Sequence, residues 1–411
     1  MAALPQQPTI LSFEDARRVV ERHAAEVSPG EVETEQLLAC AGRVLAKPVF
    51  ADRDFPPFRR AMRDGYAVRA RDLAHLPVNL EVVAEIKAGA GPEDLPIEVL
   101  PGQAAAIMTG APTPTGADAV VMVEYSSLKG SRVTITRSVE SGDNVASVGS
   151  EARQGDVLLP AGVRIDYTAI AAAASVGQDS LSVFQRPQVA ILSTGDEVVE
   201  VAKLPGPHQI RNSNSYSLAA QVKEAGGAPR ILGIARDESQ HLRNLIQEGL
   251  ELNLLLLAGG VSMGKYDLVE QVLAELGAEF FFTGAQIQPG RPIVFGRAWG
   301  KYFFGLPGNP VSTMVTFELF ARVMLEALAG LIPRKLTFLH ARLKSEIKTK
   351  MGLTRFLPGL LSGEFERAEV ELVRWRGSGD VASTALANCY IVIPPDRERI
   401  AAGEWVAVMG K

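Results

Sequence analysis

The run Leu254-Leu-Leu-Leu-Ala258 constrains this chain more than any other feature. Five consecutive apolar residues without a polar member do not suit a half-solvated strand, in which residues alternate in character. They suit a short strand covered on both faces, as in a parallel sheet. The flanking sequence predicts a strand over Val189–Leu192, a helix over Ser215–Ala225 stopped by Gly226 and Gly227, a strand over Arg230–Ala235 and a helix over Ser239–Leu250. After the apolar run come a helix over Leu268–Leu276, a strand over Tyr302–Gly305 and a long helix from Pro310 to Ala329, with proline in its first turn. Short apolar strands alternating with helices predict a doubly wound, mostly parallel sheet. Ligands of such sheets bind beyond the carboxyl ends of the strands.

Three polar, glycine-bearing loops follow those strands. They are Ser193-Thr194-Gly195-Asp196-Glu197, then Gly259-Gly260-Val261-Ser262-Met263-Gly264 with Asp267 beyond it, and Gly305-Leu306-Pro307-Gly308-Asn309-Pro310. Glycine lets backbone N–H groups approach an anion, and the helix starts that follow add partial positive charge. Glu197 and Asp267 bring carboxylates to the same edge. Carboxylates beside phosphates make chemical sense when Mg²⁺ mediates, because that ion takes one or two carboxylates together with phosphate oxygens. The expectation is an oxyanion or phosphate site. Any one such loop is usually only a turn, so the argument rests on the three together. The second loop nearly completes a P-loop, Gly259 to Gly264 followed by Lys265, but Tyr266 stands where a small hydroxyl would bind Mg²⁺. A nucleotide hydrolase is therefore the alternative among enzymes.

With 411 residues the chain is too long for one core. Residues 12–46 read as helices: Ser12 caps one with Phe13, Ala16, Val19 and Val20 on its face, and Leu37, Leu38, Ala41 and Leu45 suggest a second. Residues 50–160 are rich in proline and glycine between short β-like runs, followed by a helix capped by Asp166 and ended by Gly177. Five further strands over 335–411 predict a small barrel or sandwich. The expected domains are 1–50 with 160–186 as a helical linker and dimerisation domain, 51–159 as an all-β module, 187–332 as the α/β domain and 333–411 as a β-barrel.

Lys plus Arg is 42 and Asp plus Glu is 47, a net charge of −5, which excludes a generally basic nucleic-acid footprint. Any anion must be held by local donors. No long apolar run suggests a membrane span and no secretory signal is apparent, so the expected compartment is the cytoplasm. Cys40 and Cys389 lie far apart and read as buried free thiols. The five histidines form no metal or catalytic pattern. Three further loops stand out: Arg63-Asp64-Gly65-Tyr66 beside Arg59 and Arg60, Met108-Thr109-Gly110-Ala111-Pro112, and Gly377-Ser378-Gly379-Asp380. Taken singly, each is ordinary turn chemistry.

Taken in order, Arg-Asp-Gly-Tyr-Ala-Val (63–68), Ile-Met-Thr-Gly-Ala-Pro (107–112), Ser-Thr-Gly-Asp-Glu (193–197), Gly-Gly-Val-Ser-Met-Gly (259–264) with Asp267, Gln-Pro-Gly-Arg-Pro (288–292), Gly-Leu-Pro-Gly-Asn-Pro-Val-Ser (305–312) and Gly-Ser-Gly-Asp (377–380) resemble the molybdopterin molybdenumtransferases, the MoeA and gephyrin E-domain family. The likeness runs over nearly the whole chain. It implies a multidomain fold: a molybdopterin-binding doubly wound α/β domain, an inserted all-β module and a small C-terminal β-barrel, assembled as an elongated homodimer. It also implies a reaction in which adenylylated molybdopterin and molybdate are substrates, the phosphoanhydride is cleaved with Mg²⁺ assisting, AMP leaves, and molybdenum is captured by the dithiolene sulfurs.

The same resemblance implies catalytic roles for Asp64, Glu197, Asp237 and Asp267, with Asp64, Glu197 and Asp267 at the metal. It implies substrate contacts for Thr109, Ser193, Thr194, Gly195, Gly259, Gly260, Ser262, Gly264, Arg291, Pro307, Gly308, Asn309, Pro310 and Ser378, and places Glu151 where an acidic residue is common. Arg59, Arg60, Ala61, Met62 and Arg63 depart from the usual approach to Asp64, and Ala146, Ser147 and Val148 replace basic residues. Gly284 and Gln288 stand where two lysines are usual, which leaves Arg291 as the main cation of 283–292. A transient contact with the adenylyltransferase that makes the substrate is a further implication. A non-catalytic scaffold of the same fold is the alternative outside enzymes. The clustered carboxylates argue against it, since without a metal they only repel one another.

Overall fold

The computed structural model describes residues 9–95, 98–260, 268–333, 335–364 and 366–411. They form two compact units. One comprises the chain up to Lys47, Gly162–Asp166 and Ser180–Lys411; the other comprises Pro48–Ala161 and Tyr167–Asp179.

The first unit is built on a six-stranded sheet. In chain order its strands are β1 (Gln188–Thr194), β2 (Ala228–Ala235), β3 (Leu254–Ala258), β4 (Glu279–Phe282), β5 (Val294–Ala298) and β6 (Lys301–Leu306), arranged in space as β2-β1-β3-β6-β5-β4. The pairs β1–β2, β1–β3 and β3–β6 are parallel, whereas β5 pairs antiparallel with β6 and β4. The antiparallel edge is an addition to the sequence expectation, which placed no strand at Glu279–Phe282 or Val294–Ala298.

Helices α1 (Phe13–Ala24), α2 (Ser213–Glu224), α3 (Ser239–Leu250), α4 (Leu268–Glu275) and α5 (Pro310–Thr316) cover this sheet. Alternate residues of the apolar run serve opposite cores. Leu254 and Leu256 join Phe13, Val20, Leu218 and Val315 on one face, while Leu255 and Leu257 join Leu242, Ile246 and Val272 on the other. At about 25 cal/mol per Å² of apolar surface, burial on both faces is what makes an unbroken leucine run stable in this position. The helix expected from Pro310 to Ala329 is continuous but carries a π-turn at Phe317–Ala321 before Arg322–Leu328.

Ser12 caps α1 as expected, its side chain accepting from the Asp15 backbone N–H at 3.1 Å. The second N-terminal helix is absent. Val32–Gln36 is a strand paired antiparallel with Ser180–Phe184, followed by a single 3₁₀ turn, Leu37–Cys40. The alternation of Val32-Glu-Thr-Glu-Gln36 is a strand pattern, and its partner lies about 150 residues away, so local periodicity could not reveal the pairing.

The C-terminal barrel consists of Leu339–Leu343, Thr354–Ser362, Glu369–Leu372, Cys389–Ile393 and Trp405–Gly410. It closes because Thr354–Ser362 pairs with both Glu369–Leu372 and Cys389–Ile393. Ile287–Gln288 pairs in parallel with Thr354 and Arg355, at the start of the strand that closes the barrel. Closure removes the open edges that would otherwise invite pairing with another chain. Cys389 is buried in the barrel core and Cys40 is buried elsewhere in this unit; neither forms a disulfide.

The second unit is a six-stranded sheet in the order Ala119–Met122, Gly65–Val68, Gln103–Ile107, Val78–Ile86, Arg132–Ile135, Ser126–Lys129, with small cores on its two faces. The helix Tyr167–Ser175 belongs to this unit.

Candidate functional site

Strand register aligns the ends of three parallel strands. Ser193 of β1 faces Ala258 of β3, and Ala258 faces Leu306 of β6. The loops that follow therefore leave the sheet side by side. The chain runs from β1 out to β2, then returns to β3 on the other side of β1, so β1 is the point at which the strand order reverses. Such a reversal opens a crevice at the carboxyl ends. A cavity of about 490 Å³ lies there, lined by Ser193, Thr194, Gly195, Glu197, Asp237, Gly259, Gly260, Pro307, Gly308, Asn309 and Pro310. These eleven are all residues expected at the site. A second cavity, of about 620 Å³, shares Gly195, Val198 and Asp237 with the first.

Ile210, Arg211, Asn212, Ser213, Asn214 and Pro292 also line the main cavity and were missed from the sequence. A signal was present in Arg211-Asn-Ser-Asn-Ser215, a dense set of helix-capping residues. Asn212 caps α2, accepting from the Ser215 backbone N–H at 3.1 Å. The Ser193 hydroxyl donates to Asn212 Oδ1 at 2.9 Å and lies 2.8 Å from the Ser215 hydroxyl, all three residues being buried. This network fastens the end of β1 to the start of α2. Asn214 Nδ2 donates to the Gly308 carbonyl at 2.8 Å, and the Thr313 hydroxyl donates to the Pro307 carbonyl at 2.5 Å, which ties down the third loop. Thr194 Oγ1 and Asn214 Oδ1 are buried without partners among the described residues. Buried polar atoms in that state carry a cost unless a ligand or water satisfies them.

Gly195 has φ +125°, and a Cβ there would come within 2.5 Å of Glu197 Oε2. Glycine is thus required for the Glu197 carboxylate to fold back against the loop. Asp237 is exposed at the cavity, and its backbone N–H donates to Asp196 Oδ1 at 3.3 Å. Partial desolvation, then repulsion from Asp196 and Glu197, pushes the Asp237 carboxyl above the usual carboxylate range. Among the described residues no three His, Cys, Asp or Glu side chains gather closely enough to make a complete metal site. A Mg²⁺ ion that draws most of its ligands from phosphates and water needs only one or two carboxylates. Glu197 and Asp237 fit that requirement, and a divalent cation would relieve their repulsion.

Ser262, Gly264 and Asp267 lie outside the described residues. Arg291 is exposed and does not line the cavity, although its neighbour Pro292 does. Ser378 accepts the Val311 backbone N–H at 3.0 Å through its carbonyl, which joins the barrel to the start of α5. Arg355, unremarked in the sequence, is buried opposite Gln288, and burial lowers its pKa. In the second unit Asp64 Oδ1 accepts from the Thr109 backbone N–H at 2.6 Å and from its hydroxyl at 2.7 Å. These two bonds hold the Asp64 carboxyl below the usual range. Arg60 pairs with Glu151 at 2.6 Å, and Arg59 donates to the carbonyls of Ala117 and Asp118, so the arginines near Asp64 are partly engaged within their own unit.

Comparison with known proteins covers almost all of the chain. Residues 11–177 match the MoeA N-terminal region (domain I and II), residues 190–327 a probable molybdopterin binding domain, and residues 340–410 the MoeA C-terminal region (domain IV). The chain is 36% identical to the molybdopterin molybdenumtransferase of Nostoc sp. over 396 residues, 93% of this chain and 89% of that one. It is 34% identical to the Bacillus subtilis molybdopterin molybdenumtransferase over 390 residues, 92% and 90% of the two chains. Among solved structures, a molybdopterin biosynthesis MoeA protein of Pyrococcus horikoshii superposes with a TM-score of 0.70 at 32% identity, covering 98% of this chain and 99% of that one.

Proposed function

The chain belongs to the MoeA family, and on that premise we propose that it is a molybdopterin molybdenumtransferase, an enzyme of molybdenum cofactor biosynthesis that inserts molybdate into its pterin substrate. The observation that carries this reading is the cavity at the strand reversal of the α/β domain, where three glycine-bearing loops and two carboxylates converge.

The finer reading is that the substrate is adenylylated molybdopterin and that AMP is released. The phosphate groups are received by the Gly260 backbone N–H and by the loop before α5. Thr194 and Asn214, each with a polar oxygen that has no partner among the described residues, orient the ligand. Glu197 and Asp237 would hold Mg²⁺ against the phosphates, with Asp267 as a third candidate. When bound, the ion would neutralise charge developing on the phosphoanhydride oxygens. The Ser193–Asn212–Ser215 network keeps the β1 loop from moving under that load. Asp64, with Thr109 donating to it, acts as a preformed anion in the same reaction, Ser378 supplies the barrel's contribution, and Arg291 offsets substrate charge in place of the usual lysines. The protein works as a homodimer in the cytoplasm, receiving its substrate from the adenylyltransferase by transient contact. Among the described residues no helix is long and apolar enough to cross a membrane.

The test is a turnover assay with adenylylated molybdopterin, molybdate and Mg²⁺, following AMP and molybdenum-loaded pterin together. Stoichiometric formation of both is expected, with free ATP left intact. ATP hydrolysis without molybdenum insertion would establish the alternative hydrolase. In sedimentation at micromolar concentration the expected species has twice the 44.0 kDa chain mass, and a 44.0 kDa species alone would remove the dimer.

A further inference from the structure

Four arginines among the described residues are buried: Arg17, Arg43, Arg69 and Arg355. Three of them have carboxylate partners, Arg17 with Glu21, Arg43 with Glu33 and Glu35, and Arg69 with Asp72. Arg355 has none among the described residues. It is 7% exposed, and its guanidinium makes one hydrogen bond there, Nη1 donating to the Leu353 carbonyl at 3.1 Å. The strand that carries it is buried from Thr354 to Gly359, so water does little to shield the charge. A buried cation without a counter-ion weakens a fold. Groups that cost stability persist where activity needs them.

The place of Arg355 in the fold says what its charge faces. It stands opposite Gln288 in a parallel pair, and the Thr354 backbone N–H donates to the Gln286 carbonyl at 3.0 Å. From Gln288 the chain turns through Pro289, Gly290 and Arg291 to Pro292, which lines the main cavity. This turn is held on both sides. The Ala285 backbone N–H donates to the Arg291 carbonyl at 3.0 Å, and a Cβ on Gly290 would come within 2.3 Å of Thr316 Cγ2 at the end of α5. The same helix opens at Pro310, in the wall of the cavity. Four residues of extended chain span at most about 14 Å, and a turn spans less. Arg355 is not part of the wall, so its charge acts from beyond it. At about 10 Å and an effective dielectric constant of about 20, a fixed cation favours a dianion by on the order of a hundredfold before salt screening.

Gln288 is exposed, and it occupies a position at which the family resemblance places a lysine. We propose that this positive charge is transposed across the strand pair: Arg355 supplies what Gln288 lacks and draws molybdate to the Pro292 side of the main cavity. The Gly260 backbone N–H and the loop before α5 remain free for the phosphates. The inference rests on the transferase reading given above.

Molybdate binding to the full chain, measured by equilibrium dialysis and read together with the urea midpoint, tests it. Arg355→Met is expected to weaken molybdate by about ten- to hundredfold. Its urea midpoint should be unchanged or higher, since an uncompensated buried charge is removed. Arg355→Lys should keep most of the affinity. Adding Gln288→Lys to Arg355→Met should restore binding from the other strand, at an exposed position where the fold tolerates change. Gln288→Glu leaves Arg355 in place but gives it a partner, so the midpoint should rise while molybdate weakens. Native affinity in Arg355→Met overturns the proposal. So does a lower midpoint without rescue by Gln288→Lys, the signature of a purely structural arginine. Should Arg355→Met not fold, an unmoved midpoint and affinity in Gln288→Glu overturn it instead. If the native protein inserts molybdenum but molybdate binding ignores Arg355, the proposal fails and the enzyme reading stands. If Arg355 governs molybdate binding but no molybdenum is inserted, the enzyme reading fails and an oxyanion site remains.

Discussion

Asp64 and Asp237 are the same residue type, both exposed and both expected at the site, yet their surroundings push them in opposite directions. In the β-rich unit Asp64 sits at the end of two hydrogen bonds from Thr109 and is held ionised. In the α/β unit Asp237 meets partial desolvation and the charges of Asp196 and Glu197, and its carboxyl is pushed up. Exposure therefore does not decide how a carboxylate behaves; the nearest donors and charges do. The difference separates a finished anion, complete within its own loop pair, from one that lacks its countercharge. Strain of the second kind is common where function outweighs stability.

The contrast can be broken at several points. The largest effect is expected from Glu197→Gln, which removes one of the charges that crowd Asp237. Molybdenum insertion should fall by about a hundred- to thousandfold, the scale of losing one group that stabilises developing charge. The Asp237 titration, followed by carboxyl NMR, should move down towards the ordinary value. Unchanged insertion would remove Glu197 from the chemistry, and an unmoved Asp237 would show that repulsion is not what raises it. Adding Mg²⁺ to the native protein should move Asp237 in the same direction.

Next comes Gly260→Ala, which tests the loop rather than its charges. Gly260 has φ +64°, and a Cβ there would lie 2.5 Å from Val269 Cγ2 and 2.6 Å from Thr194 Oγ1. A loss of about 2 kcal/mol is expected from crowding and left-handed backbone together, measured as a lower urea midpoint. A midpoint equal to that of the native protein would mean that the loop gives way at no cost.

Thr109→Val should have a moderate effect. It deletes one of the two bonds to Asp64, so that carboxyl should titrate closer to its unfolded value. The sign follows from linkage. A carboxyl depressed in the fold stabilises it at pH values above the unfolded pKa, and that contribution is lost as pH falls through the folded pKa. In the variant the loss should begin at higher pH, but still in the acid range at and below the ordinary Asp value, with insertion unchanged at pH 8. A titration identical to that of the native protein would assign the whole shift to the backbone N–H. The smallest effect is expected from Arg291→Ala, because that side chain is exposed and outside the cavity wall. Molybdate affinity should drop by no more than about tenfold and the drop should shrink at high salt; no drop at all would leave substrate charge to other cations.

Much of the fold was legible because it rests on local patterns. Leu254–Ala258 and Ser239–Leu250 occur within the bounds that hydrophobic periodicity predicts. The polar strand ends were legible as a ligand edge because parallel strands carry their loops to one side. Glu279–Phe282 and Val294–Ala298 were not, since an antiparallel edge strand leaves no signature distinct from loop hydrophobics until its partner is known. The Arg211–Asn214 wall was written as capping residues, but only the seating of α2 beside β1 turned it towards the cavity.

What the sequence determined by itself is chemical kind: which strands are buried on both faces, where backbone can approach an anion, and which carboxylates and arginines are available. Those follow from side-chain composition over a few residues. What only the tertiary structure decided is state and neighbourhood. The opposite shifts of Asp64 and Asp237, the burial of the Thr194 hydroxyl at the cavity, and the meeting of Val311 with Ser378 all depend on residues far apart in the chain. Electrostatic and hydrogen-bond energies depend on distances of a few ångströms, and sequence separation does not encode such distances until the chain has packed.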